Sequence, residues 1–283
     1  MIFFEIFWLF LSCLTLSVGY NILAIFPHDG ISHLEVFAPI VRNLVSRGHN
    51  LTVISHHSLN IKSKSHKELL LSNDTHAGRH LFELGMFDWP AWMLIWISPL
   101  YVSSFGISSC HHLLSHPEVQ ELMTSDGNFD LILSELFNSE CNLGFVDKFK
   151  APLVGLSSTT LMAWHTDRFG QPDNPSYIPN NHLWYTSKMS FLDRVGNALG
   201  DLLFKTTYYF ATKQSQLISE KHLKTKMSSF FDMMKSTSLV LVNSHWSLHS
   251  PRPFVPAVVE IGGSHIPSPT TLPKEDLSEI QAS

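Results

Sequence analysis

A histidine sits where an apolar run gives way to a helical pattern. The run Ile22 to Phe26 is followed by "PHDGISH", which ends on His33. A neutral imidazole near pH 7 is a good proton acceptor. To take a proton from a hydroxyl it needs a fixed tautomer and a partner for the imidazolium that forms. A carboxylate supplies both. Glu135 ends a later apolar run, Glu140 follows in the next loop, and Glu35 lies just past His33. Glu35 should point elsewhere if the helix has begun. From spacing alone, His33 reads first as a helix-entry or core histidine, with the base reading beside it.

Other chemistries leave no trace. No GxGxxG follows the first run, and no GxxxxGK[ST] occurs, so dinucleotide and P-loop sites are unsupported. "GLSST" lacks the second glycine of a nucleophile elbow. No Asp-x-Asp pair is present to hold a metal–nucleotide complex. The 17 histidines are scattered, and His56-His57 and His111-His112 lack metal-site spacing. No metal site is expected. A net charge of -5 with mixed signs gives no nucleic-acid surface.

The elements that must position His33 are legible. Short runs rich in β-branched residues read as strands at Ile22 to Phe26, Leu51 to Ile54, Leu131 to Leu133, Leu153 to Leu156, Leu239 to Val242 and Val258 to Ile261. Val36, Phe37, Ile40, Val41, Leu44 and Val45 recur at helical spacing, and Gly48 supplies a stop. Strand, helix and strand imply a parallel βαβ unit with a right-handed crossover. Polar residues follow most runs: His28, Asp29 and His33; Ser55 and His56; Ser134 and Glu135; Ser157 to Thr160; Asn243 to His245. In an open parallel sheet these would gather on one rim, where ligands bind. A Pro- and Asn-rich loop runs from Gln171 to Asn181. A long helical pattern then places Phe191, Val195, Leu199, Leu202 and Leu203 on one face. The aromatic stretch Met86 to Val102 is too short and too interrupted to span a membrane. It reads as core, as an acceptor-pocket wall or as a membrane-interface segment.

The chain's 283 residues, 44% hydrophobic, suffice for a large α/β domain. Residues 1–19 are almost wholly apolar and end in Ser17-Val18-Gly19, which reads as a secretory signal peptide. Its first part carries Glu5 and no Lys or Arg, so an uncleaved anchor is the alternative. Asn73 and Asn50 open glycosylation sequons; Asn50 is placed at the start of a buried strand. Cys13 would leave with the signal. Cys110 and Cys141 either pair or remain as buried thiols.

The segments Asn21 to Ser55, "FDLILSELFNSECNLGFVDKFKAPLVGLSS" and "LVLVNSHWSLHSPRPFVPAVVEIGGSHIP" resemble the UDP-glycosyltransferases of the membrane-bound animal type, particularly those of insects. They lie in family order at family spacing. The resemblance implies a Rossmann-like parallel sheet with flanking helices, the N-terminal half of a type-B glycosyltransferase. Residues 20–267 would form the acceptor-binding domain and 268–283 the start of a linker. It also implies transfer of a hexose, glucose or glucuronic acid, from a UDP-sugar to a small lipophilic hydroxyl compound, with inversion and no metal. The family's catalytic histidine matches Ser32-His33, and its acidic partner matches Glu135, where most vertebrate members have Asp. UDP-sugar is a co-substrate held mainly by a C-terminal domain expected beyond Ser283, together with a membrane anchor. The chain is therefore expected to be inactive alone, and no further cofactor is implied. The expected setting is the endoplasmic reticulum lumen, membrane-associated, in detoxification, with secretion if the chain ends here. The alternatives are a non-catalytic acceptor-binding or regulatory partner of full-length enzymes, through homo- or hetero-oligomers, and a lumenal lipid-binding protein.

Overall fold

A computed structural model of the chain describes residues 19–71 and 90–267. The leader up to residue 18, Cys13, Asn73, Phe87, Trp89 and the segment 268–283 lie outside the described residues. The strands are β1 (Asn21–Ile25), β2 (Asn50–Ser55), β3 (His66–Leu70), β4 (Leu131–Glu135), β5 (Leu153–Ser157), β6 (Leu239–Val242) and β7 (Val258–Glu260). The helices are α1 (Ile31–Ser46), α2 (Ala91–Ser115), α3 (Pro117–Thr124), α4 (Leu143–Phe149), α5 (Thr166–Phe169), α6 (Phe191–Leu223), α7 (Phe230–Lys235) and α8 (Trp246–His249).

All seven strands are parallel, in the order β3-β2-β1-β4-β5-β6-β7. The chain winds outward from β1 to β3, then returns to lay β4 on the other side of β1. The reversal leaves a crevice beyond the carboxyl ends of β1 and β4, where such sheets bind ligands. The register pairs Ile25 with Ser134, so Glu135 extends one residue past that pair.

Helices on both faces explain why the strands read as unbroken apolar runs. Leu23 and Ile25 of β1 pack with Leu113, Phe145, Ile218 and Phe230 on one face. Ile22 and Ala24 pack with Phe37 and Val41 of α1 on the other. The six strands expected from sequence are present. The seventh, β3, is an addition. Its sequence HKELL buries only Leu69, because an edge strand needs little apolar content to pair with β2.

Of the face of α6 expected to gather Phe191, Val195, Leu199, Leu202 and Leu203, only Leu203 is half-buried, and the rest points outward. Those other four residues are exposed. The inward face is made instead of Asn197, Gly200, Asp201, Phe204, Tyr208, Ala211, Thr212 and Ser215. A capping box between Ser190 and Asp193 starts the helix. Among the described residues, no helix is long and apolar enough to cross a membrane. Cys110 of α2 and Cys141 are joined by a disulfide, with Cα atoms 5.6 Å apart.

Candidate active site

His33 stands in the first turn of α1, at the carboxyl end of β1. Its backbone N–H bonds Gly30 O at 3.0 Å, closing the turn. A Cβ on Gly30 would come within 3.3 Å of His33 Cδ2, so glycine leaves room for the ring. Glu135 ends β4 directly across the crevice. His33 Nδ1 lies 2.5 Å from Glu135 Oε1, and the Ser158 hydroxyl lies 3.1 Å from the same nitrogen. The His33 side chain keeps 24% of its exposure and that of Glu135 only 1%. The carboxylate is thus sealed below a partly open imidazole.

The electrostatics follow from that burial. Desolvation pushes the His33 pKa down, but the charge and hydrogen bond of Glu135 outweigh it. The net result lies above the ordinary 6.5. Desolvation pushes Glu135 up, but the charges of His33 and His28, the hydrogen bond from His33 and the nearby Ser158 hydroxyl bring it below its ordinary value. With Nδ1 engaged by the carboxylate, Nε2 is the ring atom left to accept a proton. This is the arrangement of a general base with a fixed tautomer.

Of the three glutamates considered, only Glu135 meets His33. Glu35 is exposed on α1. Glu140 is fully buried, with one carboxylate oxygen accepting from Arg168 of α5 and from the Tyr208 hydroxyl of α6. Asn50 is itself exposed at the start of the mostly buried strand β2, and its Nδ2 donates to Asn21 Oδ1 at 3.0 Å. It sits at the amino end of β2, the rim opposite His33.

Sequence reasoning missed one wall of the site, Phe137. The Phe137 ring packs edge-on against His33, with centroids 5.0 Å apart. His28 lies 5.6 Å from His33 and 5.9 Å from Phe105 of α2. The loop after β4 that carries Phe137 is tied to α2. Asn138 Nδ2 donates to Val102 O at 3.1 Å, and Gly106 lets the two backbones touch. The Cys110–Cys141 disulfide fastens the same pair of segments. The rim rule pointed to His28 and to Ser157–Thr160; nothing in the sequence marked Phe137.

A cavity away from His33 is lined by Thr166, Gln171, Asn180, Asn181, Asp201 and Arg252, among others. It shares no residue with the His33 site. Burial raises Asp201 to about 6, despite a 2.7 Å bond from Asn180 Nδ2. The folded chain therefore holds this proton more tightly than the unfolded chain. The ionised carboxylate destabilises the fold above about pH 6, and that penalty disappears as pH falls towards 4. Asp201→Asn should raise stability at pH 7 by about 1–3 kcal/mol, at 1.4 kcal/mol per pH unit. The gain should vanish near pH 4. Urea unfolding at the two pH values reads this, and an equal effect at both would refute it.

Residues 89–283 match the family model described as UDP-glucoronosyl and UDP-glucosyl transferase. UDP-glucosyltransferase 2 of Dactylopius coccus is 31% identical over 272 residues, covering 94% of this chain and 52% of its own length. Human UDP-glucuronosyltransferase 1A10 is 26% identical over 287 residues, covering 96% and 53%. Among solved structures, TcCGT1 in complex with UDP aligns with a TM-score of 0.46 at 11% identity, covering 94% of this chain and 55% of that one. The chain belongs to the UDP-glucoronosyl and UDP-glucosyl transferase family. It spans about half the length of the curated relatives it matches.

Proposed function

We propose that this chain is the acceptor-binding half of a UDP-glycosyltransferase, with His33 as base and Glu135 as its partner. The observation that carries the proposal is the 2.5 Å contact between His33 Nδ1 and Glu135 Oε1 at the strand-order reversal. In this reading His33 Nε2 takes the proton from an acceptor hydroxyl. The oxygen attacks the anomeric carbon of a UDP-hexose from the face opposite the UDP. The new carbon–oxygen bond forms as the bond to the diphosphate breaks, so the configuration inverts and UDP leaves. Glu135 stabilises the imidazolium until the proton is lost to solvent. Phe137, Phe105 and neutral His28 suit a small lipophilic acceptor. No step in this chain's residues calls on a metal.

Lumenal, membrane-associated placement in the endoplasmic reticulum, with glycans on Asn50 and Asn73, belongs to the same proposal. A disulfide needs an oxidising compartment, which supports the lumen. The outward apolar face of α6 suits a surface covered in the cell.

The donor is assigned to the half of the relatives that this chain does not match. Two proteins test this: the chain alone, and the chain joined to the C-terminal half of the Dactylopius coccus UDP-glucosyltransferase 2. Both would be given labelled UDP-glucose and a panel of phenols and steroids. The fusion should transfer sugar, while the chain alone should bind acceptors without transfer. Turnover by the chain alone, or none by a folded fusion, would overturn the proposal.

A further inference from the structure

His28 is 5% exposed and sits in the loop between β1 and α1, five residues before the base. Its neighbours offer it little polarity. The Phe137 ring meets it edge-on at 4.9 Å and the Phe105 ring lies stacked at 5.9 Å. Its Nδ1 is buried without a hydrogen-bond partner. In the same pocket, Glu135 has one oxygen on His33, and the other, Oε2, is likewise buried without a partner. The two groups are near enough for the Glu135 charge to act on His28, and a buried acceptor and a buried imidazole nitrogen left unmatched are costly, so proteins rarely keep them without use.

The charge state of His28 fits a contact between them. Burial is the largest influence on it and takes its pKa to about 4. The charge of Glu135 is the strongest countering influence, and His33, Asp29 and His56 act more weakly. His28 is therefore neutral at pH 7 and carries one N–H. It can donate that proton in a hydrogen bond without competing with His33 for the ion pair.

We propose that His28 is a positioning residue for the His33–Glu135 pair, its imidazole N–H serving Glu135 Oε2 through one bridging water. The proposal rests on the reading of His33 as base only for its meaning in catalysis; the contact itself stands apart. Glu135 would be held from both sides, Oε1 by His33 and Oε2 by His28. Its carboxylate plane would then be fixed, and with it the direction of His33 Nε2.

The contact is read by the titration of Glu135. A neutral donor to a carboxylate favours the ionised form, so its removal makes the carboxylate more basic. The 283-residue chain, labelled with ¹³C in its glutamate carboxyls, is titrated by NMR. The Glu135 signal is assigned by its loss in Glu135→Gln. In His28→Phe the Glu135 midpoint should rise by about 1 pH unit. In His28→Asn, which keeps an N–H donor, it should stay close to the wild-type value. His28→Leu provides the same reading if the phenylalanine variant does not fold. An unmoved midpoint in the apolar variants, or the same rise in His28→Asn, would overturn the proposal. The titration needs no sugar donor. A shifted Glu135 with no transfer by the fusion protein would overturn the proposed reaction and leave the contact standing. Transfer with an unmoved Glu135 would overturn the role of His28 alone.

Discussion

Replacing His33 by alanine in the fusion protein should lower kcat by about 10²–10⁴-fold, the range supplied by a positioned general base. The acceptor KM should change little. The imidazole contributes one rim of a site otherwise walled by Phe137, Phe105 and His28. An interaction made chiefly in the transition state appears in kcat rather than in binding. Glu135→Gln should lower kcat by about 10²-fold or more, because glutamine can orient Nδ1 but cannot stabilise the imidazolium.

The pH profile separates this from a structural role. Only neutral His33 accepts the proton, so activity should fall as pH drops through its pKa. That pKa is raised, so the acid limb should lie above 6.5. In Glu135→Gln the largest remaining influence is burial, which lowers the value. The acid limb should then move to lower pH, below 6.5. An acid limb that stays in place in Glu135→Gln, or a His33→Ala enzyme with near-normal kcat, would remove His33 from the chemistry.

How much of this was legible depends on which physical signal each feature leaves. Strands buried on both faces announce themselves as apolar runs, and β1, β2, β4, β5 and β6 did so, as did the short apolar edge strand β7. β3 did not, since HKELL pairs on one side only and buries one leucine. Glu135 could be placed at the end of a run, but parallel order alone does not say which strand ends adjoin. The reversal between β1 and β4 does, and it brings residues 102 positions apart within 2.5 Å. Phe137 enters through loop geometry, which periodicity does not encode, whereas Ser158 lies in the Ser157–Thr160 segment that the rim rule marked. Cys110 and Cys141 could not be paired by spacing, because their approach depends on how α2 crosses the loop after β4. The long helix is the clearest inversion. Its most apolar stripe faces out, and its inward face carries Asn197, Asp201 and Ser215, each held by a specific bond. A rule that turns apolar residues inward reads that helix backwards.

Breaking the Glu140–Arg168 pair should cost about 3–5 kcal/mol, the largest single-site effect on stability expected here. Both side chains are 0% exposed. One oxygen of Glu140 receives Arg168 and the Tyr208 hydroxyl, while Tyr208 also meets His165 Nε2 at 3.1 Å. Arg168 reaches Thr237 at 3.4 Å. The pair thus joins the loop after β4, α5, α6 and the entry to β6. Removing one charge leaves the other in a dry interior, where the desolvation already incurred is no longer offset. Arg168→Met should therefore be worse than Glu140→Gln, because glutamine still accepts from Tyr208. Replacing both residues with methionine should recover most of the loss, since a matched apolar pair leaves no charge stranded. Urea unfolding of the two single variants and the double variant forms the cycle. The consequence reaches the active site, because Glu140 lies three residues beyond Phe137, whose ring packs on His33. If Arg168→Met costs under about 1 kcal/mol, or the double variant is as unstable as the sum of the singles, the buried pair is not what anchors that loop.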